Sequence, residues 1–299
     1  MERAGPGGVR RRRLARVGAL LGAIRRHPRY AVAVLGTLLA RPRLLLAALR
    51  GGWRRALRAE LERLCPAAAR LVTPYEAGFF GQVFLFDEYE VGALRLPERP
   101  TVLDVGANVG FFAWRVAALR PHARILAFEP EAGNHSRLQG LLGALGVGAE
   151  TPRCALGAAP GTATLYLRNS VTHSLRADWH QELDAGEGTE AVEVTTVDLE
   201  CARRGISAID LLKIDTEGAE ADVLAGAVEM LPHTRHVVLE YHSPRWREAC
   251  LTRLRAAGFD CREKSFWGAG AAHGQEGLLL CRRVAAAPEP ARAPAGALP

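Results

Sequence analysis

Two groups of residues carry types and spacings that could do chemistry. The first is Asp104-Val-Gly-Ala-Asn-Val-Gly110. Gly106 and Gly110 remove side chains where a ligand and a helix must approach the backbone, and Asn108 offers both a donor and an acceptor. Glu129 follows about 20 residues after Gly110, the separation at which a strand–helix–strand unit delivers a carboxylate to ribose hydroxyls. The second group is Asp215, followed by Glu217 and Glu220, together with Glu240-Tyr-His242. A histidine of ordinary pKa, near about 6.5, can accept a hydroxyl proton at neutral pH, so His242 is the preferred base, with Asp215 and Glu240 behind it. Glu217 and Glu220 read as helix-start charges that suit the macrodipole.

The glycine turn differs from a dinucleotide fingerprint. Its spacing is Gly106-x-Asn108-x-Gly110, and Asp104 stands just before it. A carboxylate there repels a pyrophosphate and suits a cationic ligand. S-adenosylmethionine, with an ammonium, a sulfonium and no phosphate, meets that condition. Asp215 could bind the ammonium, orient an acceptor hydroxyl or help hold a metal. No strong metal constellation stands out, although Asp215 with Glu240 keeps a divalent ion open.

These residues need strands that end where the acids begin. Thr101–Leu103, Arg124–Phe128, Ala208–Asp215 and Arg235–Tyr241 are apolar runs of strand length ending in Asp or Glu. Phe111–Leu119, Glu131–Leu145 and Trp246–Ala257 read as helices, the last closed by Gly258. Gly146–Cys154 reads as a third strand, and Cys154-Ala-Leu-Gly157 at its end is a place for an adenine. Thr162–Leu167 and Ala191–Val197 alternate with period two. Asp198 is a plausible N-cap, and Phe259–Lys264 with Gly277–Val284 make a final strand pair. Tyr75–Tyr89, rich in Phe, is expected to form short strands or a lid. Asp178–Glu190 is a polar, Gly-containing segment able to close over an acceptor. The fold class is α/β, a Rossmann-like, mostly parallel sheet with helices on both faces and one antiparallel edge strand.

Asp104–Phe112, Ala127-Phe-Glu-Pro130, Ala155-Leu-Gly157, Asn169-Ser170 and Lys213-Ile-Asp-Thr-Glu-Gly-Ala-Glu220 come in one order and spacing. Together they resemble the FkbM family of S-adenosylmethionine-dependent methyltransferases, over about residues 75–283. The resemblance implies a class I methyltransferase domain. It implies O-methylation of a sugar, glycolipid or polyketide hydroxyl, with S-adenosyl-L-methionine as cofactor. It also places the loop at Asn169 and His173 near the active site, as acceptor contacts. Two competitors remain. One is a non-catalytic binder of S-adenosylmethionine or a related adenosine ligand. The other, disfavoured by Asp104 and the glycine spacing, is a nicotinamide oxidoreductase.

Charge divides the chain. Residues 1–70 hold 17 Arg against three Glu, a balance of +14, which leaves −7 for the remainder of a chain of net +7. The expected organisation is a basic helical extension over 1–70, the methyltransferase domain over 71–284 and a disordered Ala/Pro-rich tail over 285–299. The apolar runs at 30–40 and 44–49 fall short of the roughly 20 residues a spanning helix needs, and a signal peptide fits poorly because its charged region would be unusually long. Short basic helices suit packing on the domain, a partner, or an anionic membrane surface. Nucleic acid is disfavoured because aromatic residues are sparse among the arginines. Six Cys at 65, 154, 201, 250, 261 and 281 form no C-x-x-C pair, so reduced thiols in a cytoplasmic protein, peripheral at most to the inner membrane face, are expected.

Overall fold

A computed structural model describes residues 36–50, 52–73, 76–168, 172–177, 188–265 and 276–284. The expectations for Asn169, for 178–187 and for the tail lie outside them. Helices α1 (Pro42–Arg50), α2 (Trp53–Leu64) and α3 (Pro66–Leu71) come first. The short α4 (Ala77–Phe79) then runs into a π-helical turn, Phe80–Leu85. Next come β1 (Thr101–Val105), α5 (Phe111–Leu119), β2 (Arg124–Phe128), α6 (Ala132–Ala144), β3 (Ala155–Leu156), β4 (Gly161–Leu167) and β5 (Gly188–Thr195). The chain continues through α7 (Val197–Arg203), β6 (Ile209–Ile214), α8 (Glu220–Ala225), β7 (Thr234–Tyr241), α9 (Pro244–Ala256), β8 (Phe259–Ser265) and β9 (Gly277–Arg283).

The main sheet has the order β2-β1-β6-β7-β9-β8. β2, β1, β6 and β7 are parallel, and β9 runs antiparallel between β7 and β8. The mostly parallel sheet is therefore as expected, but its reversed strand is next to the edge. The parallel strands are buried on both faces, which is why they read as unbroken apolar runs. The acids that end them all fall along one rim, the carboxyl edge.

Four local expectations change. Residues 146–154 make no strand of the main sheet; Glu150 bridges Leu126 alone, and Ala155–Leu156 belongs to a second sheet of order β3-β5-β4. Gly146 and Gly148 weaken strand propensity there. Residues 77–85 are helical rather than extended, because Phe80 and Phe84, four apart, stack at 5.5 Å and meet Trp114 of α5 at 5.6 and 4.1 Å. Thr196, not Asp198, caps α7, its Oγ1 accepting from Leu199 N–H at 3.1 Å. Asp198 instead accepts the N–H groups of Glu229 and Met230, each at 3.0 Å. Cys261 and Cys281 are disulfide-bonded rather than reduced, because the β8–β9 register sets them opposite each other. The other four cysteines are buried free thiols.

The helices before the sheet are packed, not loose. Leu57 and Leu61 of α2, Ala68 of α3 and Phe80 are fully buried in one cluster with Val109, Phe111, Trp114 and Leu141. Glu76, fully buried, accepts from Arg137 of α6 at 2.7 and 2.9 Å. Among the described residues no helix is long and apolar enough to cross a membrane.

Candidate active site

The turn after β1 is held by the rim around it. Gly106 has φ +75, and a Cβ there would lie 1.8 Å from the Asp215 carbonyl oxygen; the close approach is chain on chain. Gly110, at φ +95, leaves room for Leu138 and Leu142 of α6. Asn108 adopts φ +50, a left-handed conformation that Asn tolerates, and its Oδ1 accepts from Val109 N–H at 2.8 Å.

Glu129, on the rim next to this turn, is buried. Its carboxylate accepts the N–H of Asn108 at 2.9 Å and of Glu131 at 3.0 Å, which ties the β2 end to the glycine turn. Burial pushes the carboxyl up to about 7, against the pull of those two hydrogen bonds.

Asp104 is fully buried, and its charge is met from within the chain. The parallel register puts Lys213 of β6 beside it, with Nζ 3.1 Å from Oδ1. Lys213 Nζ also donates to the Gly106 carbonyl at 2.7 Å and lies 3.6 Å from Asp215 Oδ2. Burial opposes the ammonium, but Asp104 and Asp215 outweigh it and hold Lys213 charged. The anionic character of the rim therefore rests on the acids further along, not on Asp104.

Those acids surround His242. Its Nε2 lies 3.4 Å from Glu240 Oε1, 3.5 Å from Glu217 Oε2 and 3.8 Å from Asp215 Oδ1. Its Nδ1 is 2.9 Å from Oε1 of Glu220, which also accepts Gly218 N–H at 2.8 Å. Glu220 is thus a fully buried support for His242 as well as a charge in the first turn of α8. Burial opposes a charged imidazole, but Glu217 and Glu220 outweigh it and raise its pKa well above the ordinary value. The expected near-neutral His242 base is corrected accordingly: as arranged, the ring keeps its proton. Burial, then the charge of Asp215, pushes the Glu240 carboxyl up.

Tyr89 completes the rim. Its hydroxyl lies 3.0 Å from Asp215 Oδ2 and 2.9 Å from Glu240 Oε2. No motif marks it, since its partners are 126 and 151 residues away. Glu217 adopts φ +52, an uncommon backbone state for a residue with a side chain, and Ser174 Oγ donates to its carbonyl at 2.6 Å. His173 Nδ1 accepts Arg168 N–H at 3.0 Å, and its Nε2 lies 3.9 Å from Glu131 on the turn side of the rim.

Glu129, Asp215, Glu217, Glu240 and His242 therefore share the carboxyl edge of adjacent strands β2, β1, β6 and β7, where open α/β sheets bind ligands. The set combines a buried carboxylate, a glycine turn and a group of further acids around one histidine.

Comparison with known proteins identifies the family. Residues 104–263 match the model of the methyltransferase FkbM domain. Methyltransferase sdnD of Sordaria araneosa is 30% identical over 71% of this chain and 92% of its own length. The 2-O-methyltransferase NoeI of Sinorhizobium fredii is 30% identical over 56% of this chain and 72% of its own. The 31-O-demethyl-FK506 methyltransferase FkbM of Streptomyces tacrolimicus is 28% identical over 56% and 75%. A crystal structure of a methyltransferase FkbM from Methylobacillus flagellatus KT aligns with 75% of this chain and 60% of that one, at TM-score 0.46 and 16% identity. With the family model covering more than half of its length, this chain belongs to the FkbM family of methyltransferases.

Proposed function

We propose that this protein is an S-adenosylmethionine-dependent O-methyltransferase whose acceptor is a hydroxyl of a sugar, glycolipid or polyketide-type small molecule. The observation that carries the reading is the shared rim: the Glu129-braced glycine turn sits next to the Asp215, Glu217, Glu240 and His242 cluster. The names of NoeI and of the Streptomyces FkbM support oxygen as the atom methylated.

S-adenosylmethionine, when bound, supplies a methyl group made electrophilic by its sulfonium. Glu129 would accept the ribose hydroxyls, for which each carboxylate oxygen keeps a second lone pair. Gly106, Asn108 and Gly110 shape the turn beneath the ligand. Asp215 and Glu217 would meet its cationic end. Asn169 and His173 would contact the acceptor. The protein's remaining tasks are alignment of the hydroxyl and removal of its proton. Glu240 suits the second task, with the charged His242 ring beside it to stabilise the carboxylate.

Incubation with methyl-labelled S-adenosylmethionine and a cell-extract metabolite pool tests the proposal. Label on an oxygen of a small hydroxyl compound supports it. Binding without transfer to any acceptor favours a non-catalytic binder, and thermal protection by NAD but not S-adenosylmethionine favours the oxidoreductase.

The basic N-terminal segment supports a proposal about location, contact with an anionic membrane surface. The apolar faces of α2 and α3 are used in packing, so the contact falls to the Arg-rich residues 1–35. Removing them should abolish sedimentation with anionic vesicles; unchanged sedimentation defeats the idea.

A further inference from the structure

Asp215, Glu240 and His242 each offer one ligand atom, the three atoms lying within 4.8 Å of one another. We infer that these three side chains bind a divalent first-row metal ion of the Mn2+ type, which displaces the proton from His242 Nε2 and holds the acceptor hydroxyl. The inference rests on the reading of this cluster as part of the methyltransferase site, and it moves Asp215 from the donor's cationic end, which Glu217 then meets alone, to the metal.

The argument is in how each ligand is held from behind. His242 Nδ1 is fixed by the fully buried Glu220 at 2.9 Å, which turns Nε2 toward the carboxylates. A carboxylate behind an imidazole is the usual outer support of a metal-binding histidine, setting both tautomer and ring orientation. The two acids are held the same way. Tyr89 touches Oδ2 of Asp215 and Oε2 of Glu240, and Lys213 lies 3.6 Å from the same Oδ2. Each outer support thus takes one carboxylate oxygen. The other pair, Oδ1 and Oε1, faces His242 Nε2 at 3.8 and 3.4 Å.

Hydrogen counting points the same way. Tyr89 has one hydroxyl hydrogen for two carboxylate oxygens at about the same distance. Tyr89 thus satisfies one of the two acids at a time, and Oδ1 and Oε1 are left to a cation: the protonated His242 in the metal-free site, or a metal ion that displaces its Nε2 proton. A group of two carboxylates and one imidazole mixes hard and borderline donors and suits Mn2+ better than Mg2+ or Ca2+. Such an ion acts as a Lewis acid on a bound hydroxyl, lowering its pKa. It would take over from Glu240 the task of ionising the acceptor.

The test is titration of the full-length, chelator-stripped protein with Mn2+, read by electron paramagnetic resonance. One Mn2+ should bind per chain. Glu240→Gln, which keeps the shape and the Tyr89 contact, should weaken it at least about tenfold, and His242→Asn likewise. Glu220→Gln, an outer support, should weaken it about 10–100-fold. Circular dichroism separates misfolded variants from metal-deficient ones, and Glu240→Gln stands even if His242→Asn fails to fold. Absence of tight Mn2+ binding, or binding unaffected by Glu240→Gln and Glu220→Gln, overturns the inference. S-adenosylhomocysteine calorimetry on the same samples keeps the two readings apart. Nucleoside binding and methyl transfer by metal-free protein sink the metal and leave the methyltransferase. Site-bound Mn2+ without nucleoside affinity does the reverse.

Discussion

Glu220 Oε1 stands 2.9 Å from Nδ1 of His242, both side chains buried where helix α8 begins and strand β7 has just ended. This contact makes an acid at a helix start into the residue that sets the imidazole's direction. Removing it leaves a buried charge with its support gone. Glu220→Ala should therefore cost about 3–5 kcal/mol in denaturant unfolding, the range for breaking a buried ion pair from one side. Glu220→Gln, which can still accept from Nδ1–H, should cost less while lowering methyl transfer more than it raises the KM for the methyl donor.

Tyr89→Phe removes a hydroxyl and leaves Asp215 facing Glu240 without the bridge. The expected loss of stability is about 1 kcal/mol, the low end of the cost of depriving acceptors of their donor, because both carboxylates are only part-buried. Turnover should fall with the fold intact by circular dichroism. Unchanged turnover would remove Tyr89 from the site.

Glu129 makes stability depend on pH. Its folded carboxyl is raised from 4.5 to about 7. Its contribution is complete below the unfolded value and is lost as pH rises through about 7, a change of about 3 kcal/mol. Unfolding free energy of the wild type relative to Glu129→Gln should fall across that window. Ligand hydroxyls donating to the ionised carboxylate have the opposite preference, so S-adenosylhomocysteine should bind more tightly at pH 8 than at pH 6. Glu129→Gln should flatten that difference.

The helices that precede the sheet are part of the same packing. Leu61→Ala opens a cavity in a fully buried cluster shared with Phe111 and Trp114. It should destabilise the protein by about 2–5 kcal/mol, read as a shift in the urea midpoint. A change under half a kcal/mol would mean that α2 folds apart from the sheet.

The legible parts of the site are those that strand ends announce. An apolar run closing on an acid places Glu129, Asp215 and Glu240 on one rim without any knowledge of register. The glycine turn is legible for the same reason, as the point where a continuously buried apolar run gives way to a helix. Register and chain-distant contacts are what the string of residues conceals. Asp104 looks like a ligand group until the β1–β6 pairing sets Lys213 beside it. Glu220 reads as a helix-start charge because helix position does not reveal which face is buried. Tyr89 and the Cys261–Cys281 bond depend on segments that only tertiary structure brings together.

The decisive measurement is titration calorimetry of the full chain with S-adenosylhomocysteine, wild type against Glu129→Ala. One site per chain in the wild type, with affinity lost in the variant and no heat from NAD, is the predicted result. No heat from S-adenosylhomocysteine, or an affinity indifferent to Glu129, contradicts it.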